Sequence, residues 1–133
     1  MKRKKIIILS ILIVLIGFII AIIGTKAYIE AKLERLADQS ISNVDLSNAK
    51  DGIYIGSYKA FPVAAEVEVT INNHRIKEIG LKKHNNGQGS AAEIIPGKVV
   101  EAQTLEVDIV AGATYSSKVI LKAIEDALNQ ASR

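Results

Sequence analysis

The chain contains no cysteine among its 133 residues, and it contains only two histidines. Without cysteine, disulfides, thiolate metal sites, cysteine nucleophiles and an acylated N-terminal lipoprotein cysteine are all excluded. His74 and His84 lack a convincing third ligand, so we expect no metal site and interpret both as exposed polar residues. No G-x-S-x-G elbow, Walker pattern or G-x-G-x-x-G pattern occurs, so hydrolase chemistry and the common nucleotide-binding loops are not indicated.

Positive charge is scarce over most of the chain. The formal net charge is +3, but Lys2, Arg3, Lys4 and Lys5 contribute +4, which leaves −1 for everything after residue 5. A nucleic-acid-binding surface needs Lys and Arg gathered on the folded part of the protein, so we expect no nucleic-acid partner. A chain of this length has room for about one modest core.

The longest uncharged stretch runs from Ile6 to Gly24, nineteen residues that would span roughly 28 Å as a helix, the thickness of a bilayer core. A cleaved signal peptide is the alternative, but its apolar region is usually about 7 to 15 residues long. Thr25-Lys26-Ala27 is also a poor cleavage site because Thr is bulky. We therefore favour a retained anchor in the cell membrane. The positive-inside rule then predicts a single-pass protein with a cytoplasmic N-terminus and an extracytoplasmic domain.

Composition divides the chain into three regions. Residues 1–25 are the cytoplasmic basic end and transmembrane anchor, 26–49 a juxtamembrane helix and linker, and 50–133 the extracytoplasmic domain. Helix formers at 26–37 extend the anchor helix, whereas Ser, Asn and Asp at 38–49 indicate a flexible linker. Such a linker would give the domain a reach of about 20 Å.

The first half of the domain has the pattern of a three-stranded meander. Strands are predicted at 53–58, 63–71 and 75–83, separated by turn residues. In the second strand, apolar residues alternate with Glu and Thr, which is typical of a strand with one face exposed to solvent. Irregular spacing of the apolar residues in the third predicts a bulge near Glu78.

The second half contains helical patterns. Residues 91–95 predict a short helix that Pro96 interrupts, and 104–109 predict a short strand. Residues 118–128 carry apolar residues at helical spacing and predict the best helix of the domain. The resulting order, β-β-β-α-β-α, implies an α+β fold that follows an N-terminal transmembrane helix.

One segment carries a chemical suggestion, DIVAGATYSS at 108–117. It runs from the predicted strand through a tight turn into the last helix, where free backbone N–H groups and the positive end of the helix dipole converge. Gly112 and its small neighbours allow a ligand to approach the backbone. The hydroxyls of the segment suit a phosphate, although on physical grounds alone capping of the helix is their commoner use.

This segment resembles the flavinylation motif of the FMN-binding domain family, Asp-x-x-Ser/Thr-Gly-Ala-Thr followed by x-Ser/Thr-Ser, with Ala111 where Ser or Thr is commoner. The family includes the C subunit of the sodium-translocating NADH:quinone oxidoreductase, the G subunit of the Rnf complex and small membrane-anchored proteins of Gram-positive bacteria. DGIYIGSY at 51–58, EVEVTINNHRIKEI at 66–79 and KVILKAIEDAL at 118–128 extend the likeness over about residues 50–130.

The resemblance implies that FMN is joined to Thr114 through a phosphoester, with Ser116 and Ser117 stabilising the phosphate charge. Asp108 would orient the turn or help a modifying enzyme recognise it, since its carboxylate would repel the phosphate. Tyr115 would pack on the flavin ring or point into the core. The expected cofactor-binding residues are Thr114, Ala113, Gly112, Ala111, Asp108, Tyr115, Ser116 and Ser117; no catalytic residue is assigned.

We interpret the loop at 85–89 as a plain surface loop. The alternative is that His84 and this loop border the flavin ring. The combined prediction is an electron-transfer module rather than a stand-alone enzyme, whose covalent FMN relays electrons from a membrane donor to an acceptor. The resemblance also implies an FAD-dependent FMN transferase for maturation and a quinone-linked or NADH-oxidising membrane redox partner. A flavin-free accessory or interaction subunit, and an enzyme that reduces a small substrate directly, are the alternatives.

Overall fold

The computed structural model describes residues 2–85, 87 and 89–133. The chain forms two compact units, Met1–Lys32 and Leu33–Arg133. The first unit is entirely helical where the structure describes it and belongs to helix α1, Lys2–Asp38. By length and composition, α1 is the one helix among the described residues that is apolar enough to cross a membrane.

The apolar part of α1 has no polar group that needs an outside partner. The hydroxyl of Ser10 donates to the carbonyl of Ile7 at 2.8 Å, and that of Thr25 donates to the carbonyl of Ala21 at 2.7 Å. Large apolar side chains between Ile6 and Ile23 are 45% to 71% exposed. Because every backbone group and both hydroxyls bond within the helix, this surface suits a hydrocarbon environment.

The second unit is built on an antiparallel sheet of order β1-β2-β3. The strands lie where the sequence predicts them, at Gly52–Ala60 for β1, Val63–Asn72 for β2 and Arg75–Asn85 for β3. Asn73 and His74 connect β2 to β3 with φ angles of 51° and 57°, the left-handed pair that suits a two-residue hairpin turn. The α+β class is therefore confirmed, and His74 is exposed as expected.

The register of the sheet places one face of β2 in the core. Its buried residues are Val63, Ala65, Val67, Val69 and Ile71, and the intervening glutamates and threonine face the other side. Thr70 pairs with Glu78 while the next residue, Ile71, pairs with Ile76. The unpaired Lys77 confirms the bulge expected near Glu78.

Helix α3, Thr114–Ala131, packs directly against the first strand. A Cβ atom at Gly56 would overlap the carbonyl oxygen of Ala123 and lie 2.6 Å from the amide nitrogen of Ala127, so only glycine allows this approach. On the open edge of β1, Asp126 accepts a hydrogen bond from the amide of Ser57 at 3.1 Å. The helix therefore covers the sheet and also protects its edge.

The region between β3 and α3 differs from the prediction in two ways. Pro96 does not interrupt a helix; a 3₁₀ turn at Ser90–Ile94 precedes helix α2, Ile95–Ala102, and Pro96 lies in its first turn, where its missing N–H costs nothing. The short strand predicted at 104–109 does not form.

Gln103 explains why no fourth strand joins the sheet beside Ile76. Its side-chain oxygen accepts from the amide of Ile76 at 3.0 Å, and its side-chain nitrogen donates to the carbonyl of Ile76 at 2.8 Å. Gln103 has a left-handed φ of 55° and ends α2. One side chain thus takes the hydrogen bonds that a strand would need at this point of the edge of β3.

The sequence predicts a flexible linker at 38–49, but Asp38 is the last residue of α1 and residues 39–49 pack against the domain. The amide of Ser42 donates to Glu125 Oε1 at 3.0 Å, and the amide of Leu105 donates to Asn43 Oδ1 at 3.3 Å. Ala49 is buried in the core. The polar residues that resemble linker composition are therefore satisfied by tertiary partners, and the reach of about 20 Å expected for a free linker does not apply.

A short 3₁₀ turn, Leu46–Asn48, lies within this segment. The Asp45 carboxylate caps it by accepting from the amide of Ser47 at 2.9 Å and from its hydroxyl at 2.8 Å. These two bonds, the backbone one first, hold the pKa of Asp45 below its ordinary value. The turn is thus stabilised by an ionised carboxylate.

Candidate functional site

The turn before α3 has the geometry of an anion-binding helix terminus. Gly112 has a φ of 78°, and Ala113 is the N-cap residue with no side-chain cap. Thr114 is therefore the first residue of α3, and the first amide groups of this 18-residue helix are left without a capping side chain. Free N–H groups and the positive end of the helix dipole are available to a negatively charged group.

The two serines that follow have different environments. Ser117 is fully buried, and its hydroxyl accepts from the amide of Val110 at 3.0 Å, which braces the turn. Ser116 is 2% exposed, and its hydroxyl has no hydrogen-bond partner. A buried hydroxyl without a partner costs free energy, so Ser116 is stabilised by a bound polar ligand that supplies a partner.

A cavity of about 300 Å³ lies at this terminus. Its volume is at the lower end of the range of small-molecule sites, and a mainly apolar wall with a few polar groups is typical of them. The residues described by the structure that line it are Leu33, Pro62, Val63, Gly87, Gly89, Gly112, Ala113, Thr114, Tyr115 and Ser116.

Five of the eight residues expected to bind the cofactor lie together in this wall, the run from Gly112 to Ser116. Tyr115 also packs against the core, which is one of the two positions considered for it. The remaining three do not line the cavity. Ser117 lies behind the turn, Ala111 is exposed in it, and Asp108 is exposed in a separate open groove with Lys98.

Sequence reasoning missed three of the lining residues, Leu33, Pro62 and Val63. Composition assigns Leu33 to a juxtamembrane helix. It assigns Pro62 to the break between the first two predicted strands and Val63 to the start of the second strand. No local pattern distinguishes them, because they reach the cavity only through the packing of the domain. Gly87 and Gly89 fall in the loop that the sequence favours as a plain surface loop, and the structure places both in the cavity wall.

The interpretation of His84 as an exposed residue is wrong. Its side chain is 3% exposed, and Nδ1 lies 3.0 Å from Glu93 Oε1. His84 pairs with Ala65 in the sheet and therefore shares the core face of β2. The ring is buried because the register directs it inward and because a carboxylate is available for one of its nitrogens.

The donor set of the cavity suits the phosphate of FMN. A phosphate needs N–H and O–H donors, and the uncapped terminus of α3 together with the partnerless Ser116 hydroxyl supplies both. A Cβ at Gly112 would meet no atom within 4 Å, so the space in front of the turn is open to a ligand.

Comparison with known proteins places this geometry in a family context. The model of the FMN-binding domain matches residues 63–129. An uncharacterized protein of Treponema pallidum (strain Nichols) is 27% identical over 136 residues, which cover 97% of this chain and 38% of that protein. An NADH:acrylate oxidoreductase of Vibrio harveyi is 28% identical over 110 residues, which cover 77% of this chain and 11% of that protein. The chain therefore spans well under half the length of these relatives.

Proposed function

Because the chain belongs to the FMN-binding domain family, we propose that it is a membrane-anchored flavoprotein whose FMN is joined through a phosphoester to Thr114. The flavin supplies the electron-transfer chemistry, and the protein holds and orients it. The observation that carries the proposal is the position of Thr114, which is the first residue of α3 and lies in the cavity wall beside an uncapped helix terminus.

The chain's own groups stabilise the attached phosphate. A phosphodiester at Thr114 keeps one negative charge, and a charge at a helix N-terminus gains about 0.3–1 kcal/mol. The buried hydroxyl of Ser116 supplies a further donor in the same wall. Ser117 contributes indirectly, because its hydroxyl stabilises the turn by accepting a hydrogen bond from the amide of Val110.

Attachment requires a second protein, an FAD-dependent FMN transferase. A bond forms between the Thr114 hydroxyl oxygen and the FMN phosphorus, the P–O–P linkage of FAD breaks, AMP leaves, and the hydroxyl proton passes to a base of the transferase. Asp108 is exposed outside the cavity. This position supports its role in recognition by the transferase rather than in contact with the flavin.

The proposed role of the attached flavin is electron relay between a membrane donor, quinone-linked or NADH-oxidising, and an acceptor. The name of the Vibrio harveyi relative describes an NADH:acrylate oxidoreductase, which supports a redox setting. A flavin-free accessory role rests on Ala111 alone. That residue is exposed and does not line the cavity, so the absence of a hydroxyl there removes no cavity contact.

The test of attachment uses the full chain, because Leu33 and Leu36 of α1 belong to the folded domain. It is co-expressed with an FMN transferase, purified in detergent and denatured, and flavin fluorescence is followed on the polypeptide. Fluorescence must remain with the wild type and with Thr70→Ala, a matched change on the opposite face of the sheet. It must vanish in Thr114→Ala. Colourless wild-type protein would refute the proposal.

We also propose that α1 is a retained anchor with a cytoplasmic N-terminus and an extracytoplasmic domain. The absence of cysteine provides a clean test, because single cysteines can be labelled with a membrane-impermeant maleimide. In right-side-out vesicles we expect Ser57→Cys to react, and Lys4→Cys to react only after permeabilisation. The reverse pattern would overturn the orientation, and shortening of the mature chain would indicate a cleaved signal.

A further inference from the structure

The imidazole of His84 is held at one nitrogen and left without a partner at the other. Nδ1 lies 3.0 Å from Glu93 Oε1, while Nε2 is buried and has no hydrogen-bond partner. In the part of the chain that the structure describes, the Ser116 hydroxyl is the only other buried side-chain atom of this kind. Such atoms are rare in folded proteins and call for an explanation.

The contact with Glu93 determines what the free nitrogen can do. An ionised carboxylate only accepts hydrogen bonds, so Nδ1 carries the proton in this pair. Nε2 is then an acceptor when the ring is neutral and a donor when the ring is charged. In either form its burial without a partner is unfavourable unless a ligand supplies one.

The strand register places His84 beside the cavity. His84 pairs with Ala65, and Val63, two residues earlier on the same face of β2, lines the cavity wall. Two residues along a strand correspond to about 7 Å. Gly87, three residues after His84, lines the same wall. His84 is not itself among the lining residues, but these two neighbours place it close to the wall that also contains Ser116.

We propose that His84, oriented by Glu93, is a positioning residue of the cofactor site, and that its Nε2 forms a hydrogen bond with the ring of the bound flavin. This inference rests on the proposed function. The flavin ring presents one N–H donor between two carbonyl acceptors, so it can satisfy Nε2 in either protonation state. His84 thereby holds the ring, whereas the terminus of α3 holds the phosphate.

Two substitutions test the contributions of the two ring nitrogens of His84 independently. In His84→Asn, the amide nitrogen takes approximately the place of Nδ1, so the bond to Glu93 can persist while the group at Nε2 is lost. In His84→Gln, the amide takes approximately the place of Nε2. His74→Asn is the matched control, because His74 also uses Nδ1 at 3.0 Å, towards the carbonyl of Ala49, but lies in the β2–β3 turn.

The experiment compares the full chain in detergent with and without co-expressed transferase. We measure Tm, the flavin absorbance spectrum and the flavin midpoint potential. For His84→Asn the Tm without flavin serves as that variant's own reference, because its side-chain oxygen replaces one partnerless buried atom with another. In the loaded protein we expect less than half of the wild-type gain in Tm, together with a shifted spectrum and potential. His84→Gln should retain most of the gain, and His74→Asn should match the wild type.

The outcomes distinguish this inference from the proposal on which it rests. If the wild type retains no flavin after denaturation, both fail. If the wild type retains flavin and His84→Asn lowers Tm without flavin but leaves the gain in Tm, spectrum and potential unchanged, then His84 is only a structural residue. That result would overturn the inference on His84 but not the proposed function. A His84→Gln variant that loses most of the flavin-dependent gain in Tm would also contradict the inference.

Discussion

The hydroxyl of Ser117 accepts a hydrogen bond from the amide of Val110 at 3.0 Å, across the turn that contains Gly112. The neighbouring Ser116 is equally buried but has no partner and lines the cavity. Two adjacent serines of the motif therefore have separate tasks. One shapes the turn that presents Thr114, and the other is available to whatever the cavity binds.

Substitution of these serines should have opposite effects on stability. Ser117→Ala removes the acceptor of the part-buried amide of Val110, so we expect a loss of about 0.5–1.5 kcal/mol and lower flavin loading. Ser116→Ala removes a partnerless hydroxyl, so the free energy of unfolding without flavin should be unchanged or higher, while the stabilisation on loading falls. Urea unfolding of both forms measures this, and equal losses for the two variants would contradict it.

Gly112 should be required for its backbone conformation rather than for its small size. Its φ is 78°, and a Cβ would meet no atom within 4 Å, so Gly112→Ala should cost about 1–2 kcal/mol from the left-handed backbone alone. Gly97 is equally open but lies in α2, and Gly97→Ala should stabilise by about 0.5–1 kcal/mol. Thermal unfolding compares the pair, and the same sign for both would be unexpected.

Gly56 should tolerate no side chain. A methyl group would overlap the carbonyl oxygen of Ala123, which forces α3 away from the sheet, so Gly56→Ala should cost about 3 kcal/mol and lower expression. Gly80 is the control on β3, where an added methyl group would lie 4.0 Å from its nearest neighbour. Gly80→Ala should change the free energy of unfolding by less than about 1 kcal/mol, as circular dichroism melts can determine.

Glu125 should hold residues 39–49 on the domain. It accepts from the amide of Ser42 at 3.0 Å and pairs with Lys122 at 2.7 Å. Glu125→Ala should cost about 1–3 kcal/mol and increase amide exchange at Ser42. Glu78→Ala, at an exposed site on β3, is the control. Unchanged exchange at Ser42 would mean that this contact does not hold the segment.

The turn at Asp45 should open in acid. Its pKa is lowered by the bonds from Ser47, so its stabilising contribution is present above the ordinary pKa of aspartate and is lost as the pH falls through the lower folded value. NMR of the Ser47 amide should show loss of this bond only at such acidic pH. Asp45→Asn should flatten the profile, and a transition near neutral pH would contradict the assignment.

Much of the fold follows from local pattern. The alternation in β2, the bulge beside Glu78 and the apolar face of α3 depend on residues close together in the chain, and all three appear as predicted. The predictions that fail are those for segments whose structure depends on contacts with residues far away in the sequence. Gln103 takes the backbone hydrogen bonds of Ile76 on the edge of β3, and the strand expected at 104–109 does not form.

The sequence by itself determined the apolar helix, the α+β class and the motif around Thr114, because length, periodicity and residue spacing along one segment suffice for these. Only the tertiary structure decided that residues 39–49 pack on the domain and that Leu33 and Val63 line the cavity. It also decided that His84 is buried, with its Nδ1 in contact with Glu93. The physical reason is the same for each. Burial and hydrogen bonding depend on which remote segments meet, and that is settled only when the sheet, α3 and the segments that precede them pack together.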